Sequence, residues 1–180
     1  VVGSLQNMEI KNIDVTIPKG IPDKDYEIRG PMLPFFHNIF PSSITGIPGH
    51  DVKNVTIENV IIRHRGGGNQ AYANMPTWRM DGVPENKENY PEFSMFGELP
   101  AWGLYVRHVS GLKLKNIRLE AEEKDYRPSI VMDDVKNSEL SAIKIKGKGY
   151  PKQIVVKDVK NVKISNDEMV EEIGGNSESN

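Results

Sequence analysis

Five stretches of this chain carry one pattern of apolar residues and amides, and they align without a gap. They are NMEIKNIDV from Asn7, NVTIENVII from Asn54, GLKLKNIRL from Gly111, NSELSAIKI from Asn137 and NVKISNDEM from Asn161. Three residues in, the column reads Ile10, Ile57, Leu114, Leu140 and Ile164. Five in, it reads Asn12, Asn59, Asn116, Ala142 and Asn166. Six in stand Ile13, Val60, Ile117, Ile143 and Asp167; eight in, Val15, Ile62, Leu119, Ile145 and Met169. Internal self-similarity of this kind is the signature of a stacked architecture, in which each unit buries its apolar face on the next.

Within each copy the apolar residues alternate, slip by one step at the asparagine, and alternate again. Alternation predicts strands with one buried face. The slip predicts a corner. Asparagine suits a corner because it tolerates the left-handed backbone region, and stacked amides can bond to the amide above and below. The register extends upstream. Leu104-Tyr105-Val106, Ile130-Val131-Met132 and Ile154-Val155-Val156 each begin seven residues before their anchors, and Val52, Val109, Val135 and Val159 stand two before. Anchor spacings of 47, 57, 26 and 24 residues then point to a unit of three short strands, repeated with and without insertions. The expected fold is all-β: a parallel β-helix solenoid over 1–169, with loop insertions at 18–50 and 63–103. Met169 to Ile173 is expected to form a capping turn, and 170–180 a disordered tail rich in glycine, serine and asparagine. The chain opens VVGSLQ, without an initiator methionine or a leader, so it reads as a fragment with further coils expected before it. An uncapped strand edge there favours self-association.

Composition narrows the partners. A net charge of −2 and a pI near 6.1 leave no basic footprint for nucleic acid. No apolar run approaches the roughly 18–20 residues of a membrane span. Cysteine is absent, which removes disulfide and thiol chemistry without assigning a compartment. The four histidines, His37, His50, His64 and His108, lack metal-ligand spacing, so no metal and no cofactor is expected. Glu120, Glu122 and Glu123 read as a solvated face.

The two insertions hold ten of the twelve prolines and both tryptophans. They are too aromatic for simple disorder and are expected to pack as shaped loops along one side of the fold, where binding surfaces form. Trp78-Arg79 and Tyr90 suit a sugar acid, since aromatic faces stack on sugar rings and arginine pairs with carboxylates. The plainer reading is that they anchor the loop to the fold. His37, in FFHNIF, either bonds a sugar hydroxyl or carboxylate or caps its loop. Trp102, just ahead of a core strand, reads as an anchor. Arg63-His64-Arg65 before Gly66-Gly67-Gly68 reads as an anion nest or as a loop exit with solvated charges.

The strings FFHNIFPSSITGIPGHDVKNVTIENV, YPEFSMFGELPAWGLYVRHVSGLKLKNIRL and YRPSIVMDDV resemble the C-terminal third of bacterial members of glycoside hydrolase family 28, the polygalacturonase-like pectin hydrolases. The resemblance covers roughly residues 1–145. It implies a right-handed parallel β-helix, a parent enzyme that hydrolyses galacturonosyl or rhamnosyl linkages with inversion, pectic polysaccharide or oligogalacturonide as ligand, and a secreted or periplasmic location. It does not bring catalytic residues. Inverting hydrolysis needs two carboxyl groups about 6.5–9.5 Å apart in one cleft. Asn12-Ile13-Asp14, Asp133-Asp134 and Gly49-His50 imitate family motifs, but each falls in a corner or core column, and no R-I-K string exists. The expectation is a catalytically silent portion of a pectin-acting hydrolase. The alternative is a non-catalytic module that binds acidic polysaccharide or serves a structural role.

Overall fold

The computed structural model describes residues 2–18, 38–89, 95–165 and 167–173. Nine strands follow in chain order: β1 (Gln6–Thr16), β2 (Ser42–Thr45), β3 (Val52–His64), β4 (Leu104–Ser110), β5 (Lys113–Ala121), β6 (Ile130–Lys146), β7 (Ile154–Lys157), β8 (Lys160–Ile164) and β9 (Val170–Ile173). Every pairing between them is parallel.

The corners are where the sequence places them. Asn12, Asn59, Asn116 and Ala142 have φ of 58°, 57°, 53° and 53°. Asn7, Asn54, Asn137 and Asn161 form a second left-handed column, joined by Gly111 at φ 80°. His108, Asp134 and Asp158 form a third. An L-residue held left-handed costs about 1–2 kcal/mol, least for asparagine and aspartate, whose short polar side chains bond locally. The amides do stack. Asn54 Nδ2 donates to Asn7 Oδ1 and Asn59 Nδ2 to Asn12 Oδ1, each at 3.1 Å; Asn116 Nδ2 donates to Asn59 Oδ1 and Asn161 Nδ2 to Asn137 Oδ1, each at 2.9 Å.

The strands do not break at these corners, and that changes the architecture. β3 is 13 residues long and β6 is 17. Each bends at its left-handed residues and so reaches two neighbours. β3 pairs with β4 through Val52 and Lys53, then with β5 from Thr56 to His64. β6 pairs with β4 from Ile130 to Lys136, then with β5 from Glu139 to Lys146. The circuit β3–β4–β6–β5 therefore closes on itself. The expected right-handed parallel β-helix solenoid is corrected accordingly: the fold is all-β, but it is a closed four-strand parallel barrel with extra strands. β1 adds to β3, β2 to β4, β7 and β8 to β6, and β9 to β7. Val170–Ile173, expected in the tail, is thus a strand.

The apolar columns fill the barrel. Val52, Val55, Val60, Val106, Val109, Leu114, Ile117, Leu119, Met132, Val135 and Leu140 form one buried cluster with Trp102. Each such side chain contributes roughly 1.5–3 kcal/mol of burial. Met169 and Val170 pack against the same cluster. A second, smaller cluster lies on the outer face of β4, β6 and β7. There Tyr105, Val131 and Val155 are covered by Met80, Val83, Leu99 and Ala101 from the long connection between β3 and β4. This second cluster holds the connection in place, and with it the candidate site.

Candidate functional site

Two polar regions lie where that connection meets the barrel. The first is an open pocket of about 140 Å³ under Trp78. One wall is Met75, Pro76, Thr77 and Trp78, the start of a 3-10 helix spanning Thr77–Gly82. Pro76, at φ −72° and ψ 156°, lacks an N–H and suits the entry to a helix. The floor is Tyr126, Arg127 and Pro128, between β5 and β6; Tyr150, between β6 and β7, closes the far side.

Hydrogen bonds shape the pocket. Thr77 Oγ1 and Tyr150 OH are 3.2 Å apart. Tyr126 OH donates to the Ala73 carbonyl at 3.1 Å and accepts from the Met75 N–H at 3.4 Å. Burial raises the pKa of both tyrosines, so each phenol stays a neutral donor or acceptor. Asn38, itself buried, ties the loop from behind: its Nδ2 donates to the Ala73 carbonyl at 3.0 Å, and its N–H donates to Glu98 Oε1 at 2.9 Å.

Trp78 stands at the rim, 76% exposed, with the Arg79 guanidinium 5.8 Å from its ring centroid. An indole so placed is a large apolar face left open to solvent at the mouth of an aromatic-lined hollow. Trp102, by contrast, is buried and lies 5.8 Å from the His64 ring, as an anchor should. His37 and Tyr90, the other two sequence candidates, lie outside the described residues. Tyr126 and Tyr150 belong to the pocket but were not singled out from sequence. Each sits in a short connection between strands, and no periodicity marks such a position.

Arg127 is not available to a ligand. Its Nε and Nη2 donate to the two oxygens of Asp125 at 3.0 Å each, and Nη1 donates to the Ile39 carbonyl at 3.0 Å. Both partners are buried. Burial pushes the Asp125 carboxyl up, but the Arg127 contacts outweigh it and its pKa lies below the ordinary value. The Gly68 N–H donates to the same carboxylate at 2.8 Å. A Cβ at Gly68 would lie 2.3 Å from Asp125 Oδ1, so this glycine permits the approach. The Gly66–Gly68 stretch thus receives an anion, but one supplied by the chain itself.

The second polar region is a charge cluster along the edge of the same connection. Arg107 lies with Nε 3.1 Å from Asp133 Oδ2 and Nη2 3.0 Å from Glu85 Oε1, while Nη1 donates to the Val83 carbonyl at 2.9 Å. His108 bridges Asp134 Oδ2 at 2.7 Å and Glu85 Oε1 at 3.1 Å. Lys157 pairs with Asp81. Asp133 is buried, and burial raises its pKa despite Arg107. Asp134 is half-buried; burial pushes it up, but His108 and Lys136 outweigh this and lower it. The adjacent aspartates thus have separate partners, Arg107 for Asp133 and His108 with Lys136 for Asp134, and neither lines the pocket under Trp78. Asn12 is an acceptor in the amide ladder, and Asp14 pairs with Arg63. His50 is exposed and exchanges backbone hydrogen bonds with Ile47. Among the described residues, no group of three His, Asp or Glu side chains converges to hold a metal.

Comparisons with protein-family models, with curated proteins and with solved structures returned no match.

Proposed function

We propose that this chain is a substrate-binding portion of a pectin-acting glycoside hydrolase, and that it does not itself cut the polymer. The observation that carries this reading is Trp78, 76% exposed beside Arg79 at the mouth of a pocket lined by Tyr126 and Tyr150. A sugar ring stacks on the indole. Its carboxylate takes a charge-assisted hydrogen bond from Arg79, and hydroxyls reach Tyr150 and Thr77. The resemblance of the YPEFSMFGELPAWGLYVRHVSGLKLKNIRL string to family 28 supports a galacturonate over a neutral sugar. The polymer lies outside the cytoplasm, so a secreted or periplasmic location goes with this reading.

The absence of a role in bond cleavage rests on geometry. Asp133 and Asp134 are engaged separately and lie away from the pocket, whereas inversion needs an acid and a base across one bond. Titration calorimetry with tri- and tetragalacturonate tests binding. Trp78→Ala is expected to weaken it roughly tenfold, about 1.4 kcal/mol. Arg79→Gln should erase the preference for galacturonate over the neutral galactose oligomer. No heat at millimolar ligand overturns the binding claim. Reducing-sugar release from polygalacturonate above background overturns the claim that the chain is silent.

A further inference from the structure

The rim of the pocket and its interior differ in charge. Arg79 lies against the Trp78 indole, outside the lining. Among the described residues Arg127 is the one ionised group in the lining, and Asp125 takes its charge through both carboxylate oxygens. The third guanidinium nitrogen donates to the Ile39 carbonyl. Both partners are buried, and breaking a buried pair to serve a ligand is strongly unfavourable. Much of the remaining lining is apolar: Met75, Pro76, Pro100 and Pro128, with the rings of Tyr126 and Tyr150. The Tyr126 hydroxyl is engaged by the Ala73 carbonyl and the Met75 N–H. At the far side the Tyr150 phenol is held above its ordinary value by burial and, against a hydrogen bond with Thr77, by the Glu171 carboxylate. A free carboxylate that entered would give up its water and meet no available cation, which is among the costliest ways to bury a polar group. At about 140 Å³ the hollow is also well below the roughly 300–1,000 Å³ of pockets that enclose drug-sized ligands, so it takes a substituent or a single ring and not a stretch of polymer.

We infer that the pocket selects a methyl-esterified galacturonate residue over the ionised one. The ring on Trp78 keeps its free carboxylate at Arg79, and the ring beside it puts its ester into the pocket. This rests on the sugar-binding reading above and names the form of polymer the site takes, a partly esterified one. The ester methyl packs among Met75, Pro100 and Pro128. The ester carbonyl takes a hydrogen bond from the Thr77 hydroxyl, and no charge is stripped of water without a partner.

The test is titration calorimetry of the full chain with trigalacturonate, with its monomethyl esters, and with an O-acetylated trigalacturonate whose carboxylates stay free. The best monomethyl ester is expected to bind roughly tenfold tighter than the free acid, the scale on which an apolar pocket discriminates one methyl-sized group. The acetylated trimer should bind no tighter than the free acid. Gln70 lines the pocket and is exposed, so Gln70→Lys adds a cation there without disturbing the core, and it should remove the ester's advantage. Binding of the free acid as tight as that of every ester overturns the inference and leaves the sugar-binding reading standing, since heat is still released. A gain by the acetylated trimer alone, or an ester preference that Gln70→Lys leaves unchanged, also overturns it. No heat from any of these trimers ends the sugar-binding reading itself, and the inference with it.

Discussion

Ile13 and Ile117 occupy one column of one repeated pattern, in the same register beside the same kind of corner. Ile13 is 40% exposed and Ile117 is 3%. Between them Val60 is 4% exposed, and beyond them Ile143 is 8%. Nothing in the local sequence distinguishes the four. β3, β5 and β6 have strands on both sides, whereas β1 has a described strand on one side only. In a stacked β-structure the pattern decides which way a side chain points, but the neighbours decide whether water is excluded from it. The amides show the same contrast. Asn59 both donates to Asn12 and accepts from Asn116, while among the described residues Asn12 only accepts.

The sharpest way to break this comparison is to truncate both isoleucines. Ile117→Ala leaves a cavity in a packed interior and is expected to cost about 3–4 kcal/mol. For a chain of this size that lowers Tm by roughly 10 °C. Ile13→Ala, at the open edge, is expected to cost under about 1 kcal/mol. Urea denaturation of the two variants checks it; equal losses would mean that β1 is covered in solution.

A second contrast concerns pH. His64 ends β3 inside the barrel. Its Nδ1 accepts from the Gly66 N–H at 2.8 Å, and burial, with Arg127 nearby, pushes its pKa down to about 4. The folded state therefore holds it neutral, while the unfolded chain takes a proton below pH 6.5. Its stability contribution is complete above pH 6.5 and is lost as the pH falls toward 4, about 3 kcal/mol in all. His64→Phe should flatten unfolding free energy against pH across that window. The lowered Asp125 carboxyl also favours the folded state, but its share is lost only below its ordinary value of 3.8, so the two are separable.

Smaller effects are expected within the ladder. Asn59→Ala removes two amide bonds and places alanine at a left-handed φ, for about 1–2 kcal/mol; Asn12→Ala carries the same backbone strain but removes one bond, and should cost less. Ala142 is the built-in exception, an alanine at φ 53° in the same column. Ala142→Gly relieves that strain and should raise stability by up to about 1 kcal/mol. A loss instead would show that the Ala142 methyl is worth more than the backbone strain.

Much of the β-structure could be read from the residues, because parallel pairing in register copies a sequence column directly into a spatial one. Ile10, Ile57, Leu114, Leu140 and Ile164 pair in succession as the alignment requires, and Asn12, Asn59, Asn116 and Ala142 all turn left-handed. The pocket was half legible. Trp78 stands out by residue type, with Arg79 against its ring outside the pocket lining, but Tyr126 and Tyr150 come from other connections and reach the pocket only through the fold. The carboxylates were legible in the negative sense: column register placed Asp133 and Asp134 beside Arg107 and His108 on one side and Lys157 and Asp158 on the other, and the structure pairs Asp133 with Arg107 and Asp134 with Lys136.

By itself, then, the sequence determined most of the strands, their shared direction, the asparagine corners and which residues share a face, since these follow from side-chain period and from the backbone preferences of asparagine and aspartate; β2 and β9 fell in segments read as a loop and a tail. Only the tertiary structure decided that strands bend through their corners instead of ending there, that four of them close a ring, and that β1 has a described strand on one side only. Closure depends on which neighbour each half of a long strand reaches. That is a property of assembled surfaces, and no local period encodes it.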